Sequence, residues 1–420
     1  MDIVDLADQM WRGEISTAQH SPMSVGDGVC EIADGVAFLP SFGNCVAVST
    51  SDGLVMVDTG SMFTARALHE TLRSWSTKYL NTAIFSHGHV DHVFGVKPFE
   101  EEAEKNGWPA PRVVAHENVV ARFDRYQLTH GYNEIINRRQ FALPELKWPS
   151  NYRYPDVTYR DELSFSVGDL DIELRHEKGE TDDATVTWLP QQKILCAGDF
   201  FIWTSPNAGN PQKVQRFPKE WAQALRRMAD LEPEILLPGH GLPIIGKERI
   251  AQALDETARY LESLVEQVLE LMNAGVRLSE IVASVKPPAD LVERPYLRPL
   301  YDEPEFIIHN IWRLYGGWWD ANPSTLQPAP EESLAREMCK IAGGAVKMAE
   351  RAQELTNEGS DESLRLAGHL IEFAWLSDRS DEGIQKIRQE INLIRAKKAT
   401  STMSRGVFNW AARESLGENL

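Results

Sequence analysis

The stretch Ser-His-Gly-His-Val-Asp-His at residues 86–92 decides how this chain folds and which chemistry it can support. Four of its side chains are potential metal ligands: His87, His89, Asp91 and His92. A loop with this spacing can turn two ligands to one metal ion and two to a neighbouring ion. Imidazole nitrogens and carboxylate oxygens suit Zn²⁺, and Fe or Mn are alternatives. The stretch therefore predicts a site for two divalent metal ions, with Zn²⁺ favoured.

The residues before this loop predict a strand-rich α/β domain. Residues 28–60 contain short apolar segments separated by Gly or Asp turns, which is typical of a β-meander. A helix is predicted over about residues 64–79, and the apolar strand 82–85 runs directly into the histidine-rich loop. A loop that leaves a buried strand is a usual place for catalytic groups in layered α/β folds.

The region beyond the loop repeats this order of strands and then helices. Residues 96–150 are predicted to form helices and loops, as an insertion on the substrate side. Strand patterns return at residues 163–165, 172–174, 185–189 and 194–197. A helix over about residues 219–231 then leads to a strand at 235–237.

The C-terminal part of the chain is predicted to be helical. A long amphipathic helix over residues 247–272 is followed by a Trp-rich segment, and the tail has apolar residues at three- and four-residue spacing. We expect a catalytic domain at 1–246, a helical connector at 247–328 and a helical dimerisation-type domain at 329–420. Because the tail carries no catalytic motif, packing or oligomerisation is its expected role.

Composition narrows the classes of partner. The formal net charge of −19 argues against sequence-independent attraction to nucleic acid or to an anionic membrane surface. The N-terminus carries Asp2 and Asp5 where a secretory signal would carry bases, and no apolar run long enough for membrane insertion follows. A cytoplasmic location is the expectation. Four cysteines scattered singly fit reduced, buried thiols better than a disulfide framework.

Three further motifs, in order along the chain, accompany the histidine-rich loop. They are Asp58-Thr59-Gly60, Asp199 after Cys196-Ala197-Gly198, and His240 within Leu237-Pro238-Gly239-His240-Gly241. Together these motifs resemble the metallo-β-lactamase superfamily over about residues 24–246. The resemblance implies an α/β fold, an αββα sandwich, in which a hydroxide bridging two metal ions attacks the substrate. It also implies that Asp58 braces the metal loop.

One position departs from the common superfamily pattern, because Gly179-Glu180-Thr181 stands where most members have Gly-His-Thr. The resemblance then implies two ligand sets bridged by Asp199. They are His87, His89 and Glu180 for the first ion, and Asp91, His92 and His240 for the second. Because three of the implied ligands are carboxylates, the site should accept Fe or Mn ions more readily than a site with more histidines.

A glutamate at that position, followed by a helical tail, also resembles the alkylsulfatases of this fold. Tyr301, the pair His309-Asn310 and the run from Tyr315 to Pro323 resemble an alkylsulfatase signature, and Arg138-Arg139 resembles a paired arginine of those enzymes. This resemblance extends over about residues 24–400. It implies a homodimer that hydrolyses a small alkyl sulfate ester with an apolar portion.

Several residues are candidates for handling such a substrate. Guanidinium groups can bind the negative charge of a sulfate, although a surface salt bridge is an equal alternative for each of Arg138, Arg139 and Arg216. With Asp91, the other predicted catalytic residue is His309, which could donate a proton to the leaving group, cap a helix or orient a neighbour. Three aromatic side chains are candidates for the substrate pocket: Trp203, Tyr315 and Trp318. Interdomain packing is the alternative for Trp318.

Two features leave the substrate open. Alkylsulfatases have glutamate at the bridging position and a polar Thr-His and His-Asn stretch after it, whereas this chain has Asp199 followed by Phe-Phe-Ile-Trp-Thr-Ser. A carboxylic ester, lactone, thioester or phosphate ester is therefore an alternative substrate. A di-iron oxidoreductase is a remote alternative that rests only on the three carboxylates, because no flavin-binding domain or cysteine cluster accompanies them.

Overall fold

The structure is a computed structural model that describes residues 2–17, 19–21, 26 and 28–417. Internal contacts divide the chain into two compact units. The first comprises Met1–His130, Pro149–Val276 and Glu280–Gly317. The second comprises Gly131–Trp148, Arg277–Ser279 and Trp318–Leu420. The boundaries at residues 246 and 328 that the sequence suggests remain a prediction.

A seven-stranded sheet forms half of the first unit. Its strands are β1 (Cys30–Ala33), β2 (Val36–Leu39), β3 (Cys45–Thr50), β4 (Gly53–Val57), β5 (Leu80–Ile84), β6 (Arg112–His116) and β7 (Val157–Tyr159). Strands β1 to β4 are antiparallel neighbours, whereas β4 to β7 run parallel. Every residue of β4 is buried, as expected for a strand covered on both faces.

A six-stranded sheet forms the other half. Its strands are β8 (Glu162–Val167), β9 (Leu170–Glu177), β10 (Ala184–Leu189), β11 (Ile194–Gly198), β12 (Ile235–Pro238) and β13 (Ile244–Ile245). The sheet order is β13-β12-β11-β10-β9-β8, and β11 and β12 are its parallel pair. The carboxyl ends of β11 and β12 therefore lie at the same edge of the sheet.

Helices cover both sheets. The first unit contains α1 (Ile3–Trp11), α2 (Ala65–Trp75), α3 (Val96–Asn106), α4 (Asn118–Leu128), α6 (Pro218–Asp230), α7 (Lys247–Asn273) and α9 (Pro304–Gly316). Two helices have residues in both units: α5 (His130–Phe141) and α8 (Leu278–Ser284). Helix α3 contacts β5, strand β6 contacts β10, and helix α6 contacts β9. These layers form the predicted αββα sandwich.

The second unit is helical, with α10 (Pro323–Leu326), α11 (Glu331–Ala342), α12 (Ala345–Glu358), α13 (Asp361–Ser377), α14 (Glu382–Lys398) and α15 (Thr402–Glu414). Small and branched apolar residues such as Ala352, Ala367 and Ile371 form its core. The predicted fold class, an α/β domain followed by helices, is confirmed. No helix among the described residues combines the length and apolar character needed to cross a membrane.

Two local differences from the sequence-based expectation have physical causes. Helix α2 ends at Trp75 rather than near residue 79, because Ser76 adopts an extended backbone that stops the helix. The segment 96–150, expected as helices and loops, also contains β6, whose residues 113–116 are buried in the first sheet. At five residues, β6 is too short for its apolar run to be distinguished from a helix turn by periodicity.

Candidate metal centre

The histidine-rich loop begins where β5 ends, and Asp58 begins the loop after the parallel strand β4. The two carboxyl ends are neighbours in the sheet, so the two loops meet. Asp58 accepts hydrogen bonds from the Ser86 backbone N–H and from the Ser86 hydroxyl, each at 2.7 Å. Its Oδ2 also lies 2.8 Å from Nδ1 of His92. The structure thus places Asp58 where it can fix both ends of the loop.

Two groups of three side chains in this region could each hold a metal ion. The first group is His87, His89 and Asp199, and the second is Asp91, His92 and His240. Within each group, one ligand atom per residue lies within 4.8 Å of the others. The structure therefore brings together six of the seven ligands that the sequence suggests.

Asp199 lies between the two groups. Its Oδ2 is 3.5 Å from Nε2 of His87 and 3.4 Å from Nε2 of His240. Its Oδ1 is 3.4 Å from Nε2 of His92. One carboxylate thus faces imidazoles of both groups, which is the arrangement required of a bridging ligand.

The donor atoms fit a pair of divalent cations. Nε2 of His87, Nε2 of His92 and Oδ1 of Asp199 are buried and have no hydrogen-bond partner among the described residues. A buried polar atom left unpaired costs about 1–3 kcal/mol, so atoms of this kind are retained where a ligand satisfies them. Burial lowers the pKa of His87 and of His89, which favours the neutral imidazole that metal ions bind.

His240 reaches the centre from the loop after β12. Its Nε2 is 3.5 Å from Oδ2 of Asp91, while its Nδ1 faces the backbone carbonyl of Phe42. Asn44 holds this loop by donating from its side-chain amide to the carbonyls of Pro238 and Gly241, at 3.1 and 3.0 Å. The second imidazole nitrogen is thereby directed toward the ligand groups.

Glu180 has a different environment from the other predicted ligands. Its Oε1 is 3.7 Å from Nδ1 of His89, but it also accepts a hydrogen bond from Nη2 of Arg216 at 3.1 Å and another from the side-chain amide of Asn207. Burial raises the pKa of the Glu180 carboxyl group, and the Arg216 guanidinium opposes that rise. Its role as a ligand of the first ion remains a prediction.

The sequence reasoning missed two buried residues that support the metal loop. Oδ2 of Asp183 accepts a hydrogen bond from the Gly88 backbone N–H at 3.1 Å and from Nε of Arg122 at 2.6 Å. Arg122 lies on α4, within the segment that was expected to be an insertion on the substrate side. Neither residue belongs to a short motif. In the sequence, only the position of the Asp182-Asp183 pair, close to the predicted ligand Glu180, indicated that Asp183 could take part in the site.

Lys213, three residues before Arg216, is another residue that the sequence reasoning missed. Burial lowers its pKa to about 7, and Arg216 contributes in the same direction. The carboxylates of Asp91 and Glu180 oppose that shift.

The aromatic run after Asp199 is in the core. Phe200, Phe201 and Trp203 have exposed fractions of 3%, 2% and 1%. The indole N–H of Trp203 donates to the carbonyl of Leu242 at 2.6 Å. The structure thus places Trp203 under the His240 loop, packed and hydrogen-bonded, and the run does not present a free aromatic wall.

The remaining substrate candidates are divided between the units. His309 and Tyr315 are exposed on α9. Arg138, in the second unit, pairs with Glu134 at 2.5 Å and donates to the Leu146 carbonyl at 2.9 Å. Trp318, also in the second unit, is 72% exposed. The substrate roles suggested for these residues, and for Arg139 in the second unit, remain predictions.

With the fold and the ligand groups described, comparisons with known proteins identify the class. The model of the metallo-beta-lactamase superfamily matches residues 39–240. The model of the alkyl sulfatase dimerisation region matches residues 277–418. The chain is therefore a metallo-β-lactamase-fold protein. More specifically, the succession of these two regions makes the chain similar to proteins of the alkylsulfatase type.

Named relatives agree with this class. The chain is 27% identical over 349 residues to a linear primary-alkylsulfatase from Pseudomonas sp., a match that covers 77% of this chain and 65% of the relative. It is 23% identical over 379 residues to the alkyl/aryl-sulfatase BDS1 of Saccharomyces cerevisiae, covering 83% of this chain and 57% of the relative. The chain thus spans less than two thirds of the length of these relatives.

The fold has a close counterpart among solved structures. The stereoselective inverting sec-alkylsulfatase Pisa1 from Pseudomonas sp. superposes with a TM-score of 0.84 at 20% identity. That match covers 94% of this chain and 67% of the other. At this level of identity the likeness establishes the shared fold.

Proposed function

We propose that this chain is a hydrolase of alkyl sulfate esters that depends on two divalent metal ions, with Zn²⁺ favoured. The observation that carries the proposal is Asp199, whose two oxygens face His87, His92 and His240 across the two ligand groups. The alkylsulfatase names of the relatives support the choice of ester. When bound, the ions would supply Lewis acidity and a water molecule acidic enough to act as a nucleophile at neutral pH.

The charges around the centre suit a singly charged anionic ester. Three carboxylates, Asp91, Glu180 and Asp199, line the site, and the ions would offset their charge. Arg216 adds positive charge beside Glu180, with which its guanidinium group pairs at 3.1 Å. A sulfate ester keeps one negative charge at neutral pH, and the two ions, when bound, would offset that charge. His309, on α9, is the proposed proton donor to the leaving alkoxide.

An apolar rim is proposed to receive the alkyl portion. We define this rim by Phe42, Met62 and Phe63, which are exposed by 38%, 45% and 72%. The Phe42 ring lies 5.1 Å from the His240 ring, centroid to centroid. Large exposed apolar side chains beside a polar site are typical of ligand contact.

Both loops that carry the rim contact the metal loop. A Cβ atom at Gly43, the residue after Phe42, would lie 3.4 Å from Cβ of Asp91. On the other loop, Thr59 donates its backbone N–H to the carbonyl of the predicted ligand His92 at 2.7 Å. The rim therefore borders the predicted ligands, and sequence reasoning missed it because isolated apolar residues in loops form no periodic pattern.

The second unit is proposed to mediate a homodimer. It exposes large apolar side chains, including Ile341 at 77%, Val346 at 52% and Leu366 at 48%. The match to an alkyl sulfatase dimerisation region supports a second copy of the chain as the partner that covers them. Sedimentation analysis that gave a monomer at micromolar concentration would contradict this part of the proposal.

The second candidate, a carboxylic ester, lactone, thioester or phosphate ester, rests on the missing polar stretch after Asp199. An aromatic wall of Phe200, Phe201 and Trp203 would have favoured a neutral ester, and these side chains are buried. No observation in the structure favours the di-iron oxidoreductase over a hydrolase.

The decisive experiment measures metal content and inorganic sulfate release together. Purified protein loaded with Zn²⁺, Mn²⁺ or Fe²⁺ is incubated with C6 to C12 alkyl sulfates and, in parallel, with carboxylic, thio-, lactone and phosphate esters. We expect two ions per chain and release of sulfate. Turnover of any other ester with no sulfate release would overturn the proposed substrate.

A matched pair of variants ties the activity to the centre. His89→Ala removes a predicted ligand and should abolish both metal binding at one position and sulfate release. His369→Ala changes an exposed histidine of the second unit and should leave the metal content unchanged. Full activity in His89→Ala would contradict the assignment of the centre.

A further inference from the structure

Arg216 is turned inward. Its side chain is 1% exposed, Nη2 donates to Oε1 of Glu180 at 3.1 Å, and Nη1 donates to the Val214 carbonyl at 3.3 Å. The remaining nitrogen, Nε, is also buried. A guanidinium group that binds a substrate anion needs N–H groups directed into the open site, whereas here both Nη atoms donate to protein oxygens and the side chain is buried.

Asn310 of α9 fixes the backbone of Arg216. Its Oδ1 accepts from the Arg216 backbone N–H at 3.2 Å, and its Nδ2 donates to the Arg216 carbonyl at 3.1 Å. Both ends of one side-chain amide thus bind both polar groups of one residue. The neighbouring Gln215 donates to Oδ1 of Asn310 at 2.8 Å, and Arg313 donates to Gln215 at 2.9 Å. This segment therefore has little freedom to move relative to α9.

Glu180 is held from its other side by Asn207, whose side-chain amide donates to the same Oε1. The loop that carries Asn207 is itself fixed by Asp302, which accepts from the backbone N–H groups of Gly209 at 2.5 Å and Asn210 at 3.3 Å. A Cβ atom at Gly209 would lie 2.4 Å from the Ile307 backbone nitrogen, so this loop packs directly on α9. Both donors to Glu180 are thus anchored on or next to the same helix.

We propose that Arg216 is a positioning residue that holds the Glu180 carboxylate at the first metal position, and that Asn310 holds Arg216 for this role. The pair His309-Asn310 then combines two functions on successive residues, with Asn310 buried as a clamp and His309 exposed. This proposal differs from the prediction that Arg216 binds the sulfate group of the substrate. It implies that loss of Arg216 lowers the affinity for a metal ion and does not weaken substrate binding. Groups that orient metal ligands contribute about 10- to 100-fold in metal affinity.

The test measures the binding of each ion without substrate. Metal-free protein is titrated with Co²⁺ in a metal buffer, and the visible absorption bands report the two positions. We expect Arg216→Gln and Asn310→Ala to weaken one ion by about 10- to 100-fold and to leave the other unchanged. Glu180→Gln should weaken the same ion, and Arg216→Lys should recover part of the loss because an ammonium group can still donate to Oε1.

The control is Arg226→Ala, which removes an arginine that pairs with Asp255 and Glu262 on a partly exposed surface of α6 and α7. It should bind both ions as the unaltered chain does.

Circular dichroism establishes that each variant is folded, and Asn310→Ala carries the test if Arg216→Gln does not fold. Full affinity for both ions, with only KM for the ester raised, would show that Arg216 contacts substrate and would overturn the proposal. Equal weakening of both ions would overturn it as well. Because no ester is used in the titration, the result is independent of the proposed substrate.

Discussion

Oδ2 of Asp58 and Nδ1 of His92 lie 2.8 Å apart, and this contact directs the other imidazole nitrogen of His92 toward Asp91 and Asp199. Asp58 occupies a left-handed backbone conformation, with φ of 60°, at the first position after β4. The same carboxylate binds the backbone and hydroxyl of Ser86. One side chain thus joins the beginning and the end of the metal loop.

Removal of this contact should weaken the second ion. In Asp58→Ala, His92 loses the partner that orients its ring, and we expect metal affinity to fall about 10- to 100-fold. Competition with a zinc-binding dye measures the change. Asp34→Ala, at an exposed turn between β1 and β2, is the control. Unchanged affinity in Asp58→Ala would contradict a bracing role.

The metal loop should require a residue without a side chain at position 88, which is Gly88. A Cβ atom there would lie 2.7 Å from Cδ of Arg122 and 3.0 Å from Oδ2 of Asp183. We expect Gly88→Ala to displace the loop and to lower the number of bound ions, measured by elemental analysis of the folded protein. Gly131→Ala is the matched control, because a Cβ atom at Gly131 meets nothing within 4 Å. Two tightly bound ions in Gly88→Ala would refute the expectation.

The sequence predicted those parts of the centre that depend on local pattern. Strand β5 and the loop after it are contiguous, so the apolar run and the histidine spacing together located four candidate ligands. Asp199 and His240 lie at the ends of the parallel strands β11 and β12, and short motifs identified both. The alternation of strands and helices indicated an α/β domain, and the resemblance of the motifs to the metallo-β-lactamase superfamily implied the αββα sandwich.

Contacts between distant residues were beyond the reach of that reasoning. Arg122 and Asp183 are 61 positions apart, and Asn310 and Arg216 are 94 apart. No periodicity or motif links members of such pairs, because the contact exists only after the sheets have assembled. The orientation of Trp203 is a related case. Its φ of 53° shows that the backbone turns at this residue. The rule that successive side chains of a strand point to opposite faces therefore does not tell which side chains of this segment are buried.

Trp203 should therefore affect stability more than substrate binding. Trp203→Ala removes a fully buried indole and its hydrogen bond to Leu242, and we expect the free energy of unfolding to fall by about 3–5 kcal/mol. Denaturant unfolding followed by circular dichroism measures the change. Trp318→Ala, at a side chain that is 72% exposed, should change the unfolding free energy by less than about 0.5 kcal/mol. If Trp203→Ala instead raises KM and leaves the free energy of unfolding unchanged, Trp203 contacts the substrate as the sequence suggested.

The apolar rim should set the preference for chain length. Burial of each methylene group contributes about 0.8 kcal/mol, so kcat/KM of the unaltered enzyme should rise up to about fourfold per added carbon while the rim accommodates the chain. Phe63→Ala and Phe42→Ala remove exposed rings beside the centre, and each should flatten this rise. The activity on the shortest alkyl sulfate should change least, because a short chain does not reach the rim.

Sulfate release across a series of C4 to C12 alkyl sulfates measures the slope. Leu128→Ala is the matched control, since Leu128 is 85% exposed on α4 and is not part of the rim. It should keep the slope of the unaltered enzyme. If both rim variants also keep that slope, the alkyl chain binds elsewhere, and Phe42, Met62 and Phe63 have no part in recognising it. A uniform loss at every chain length would instead mean that Phe42 acts on the metal centre through its contact with His240.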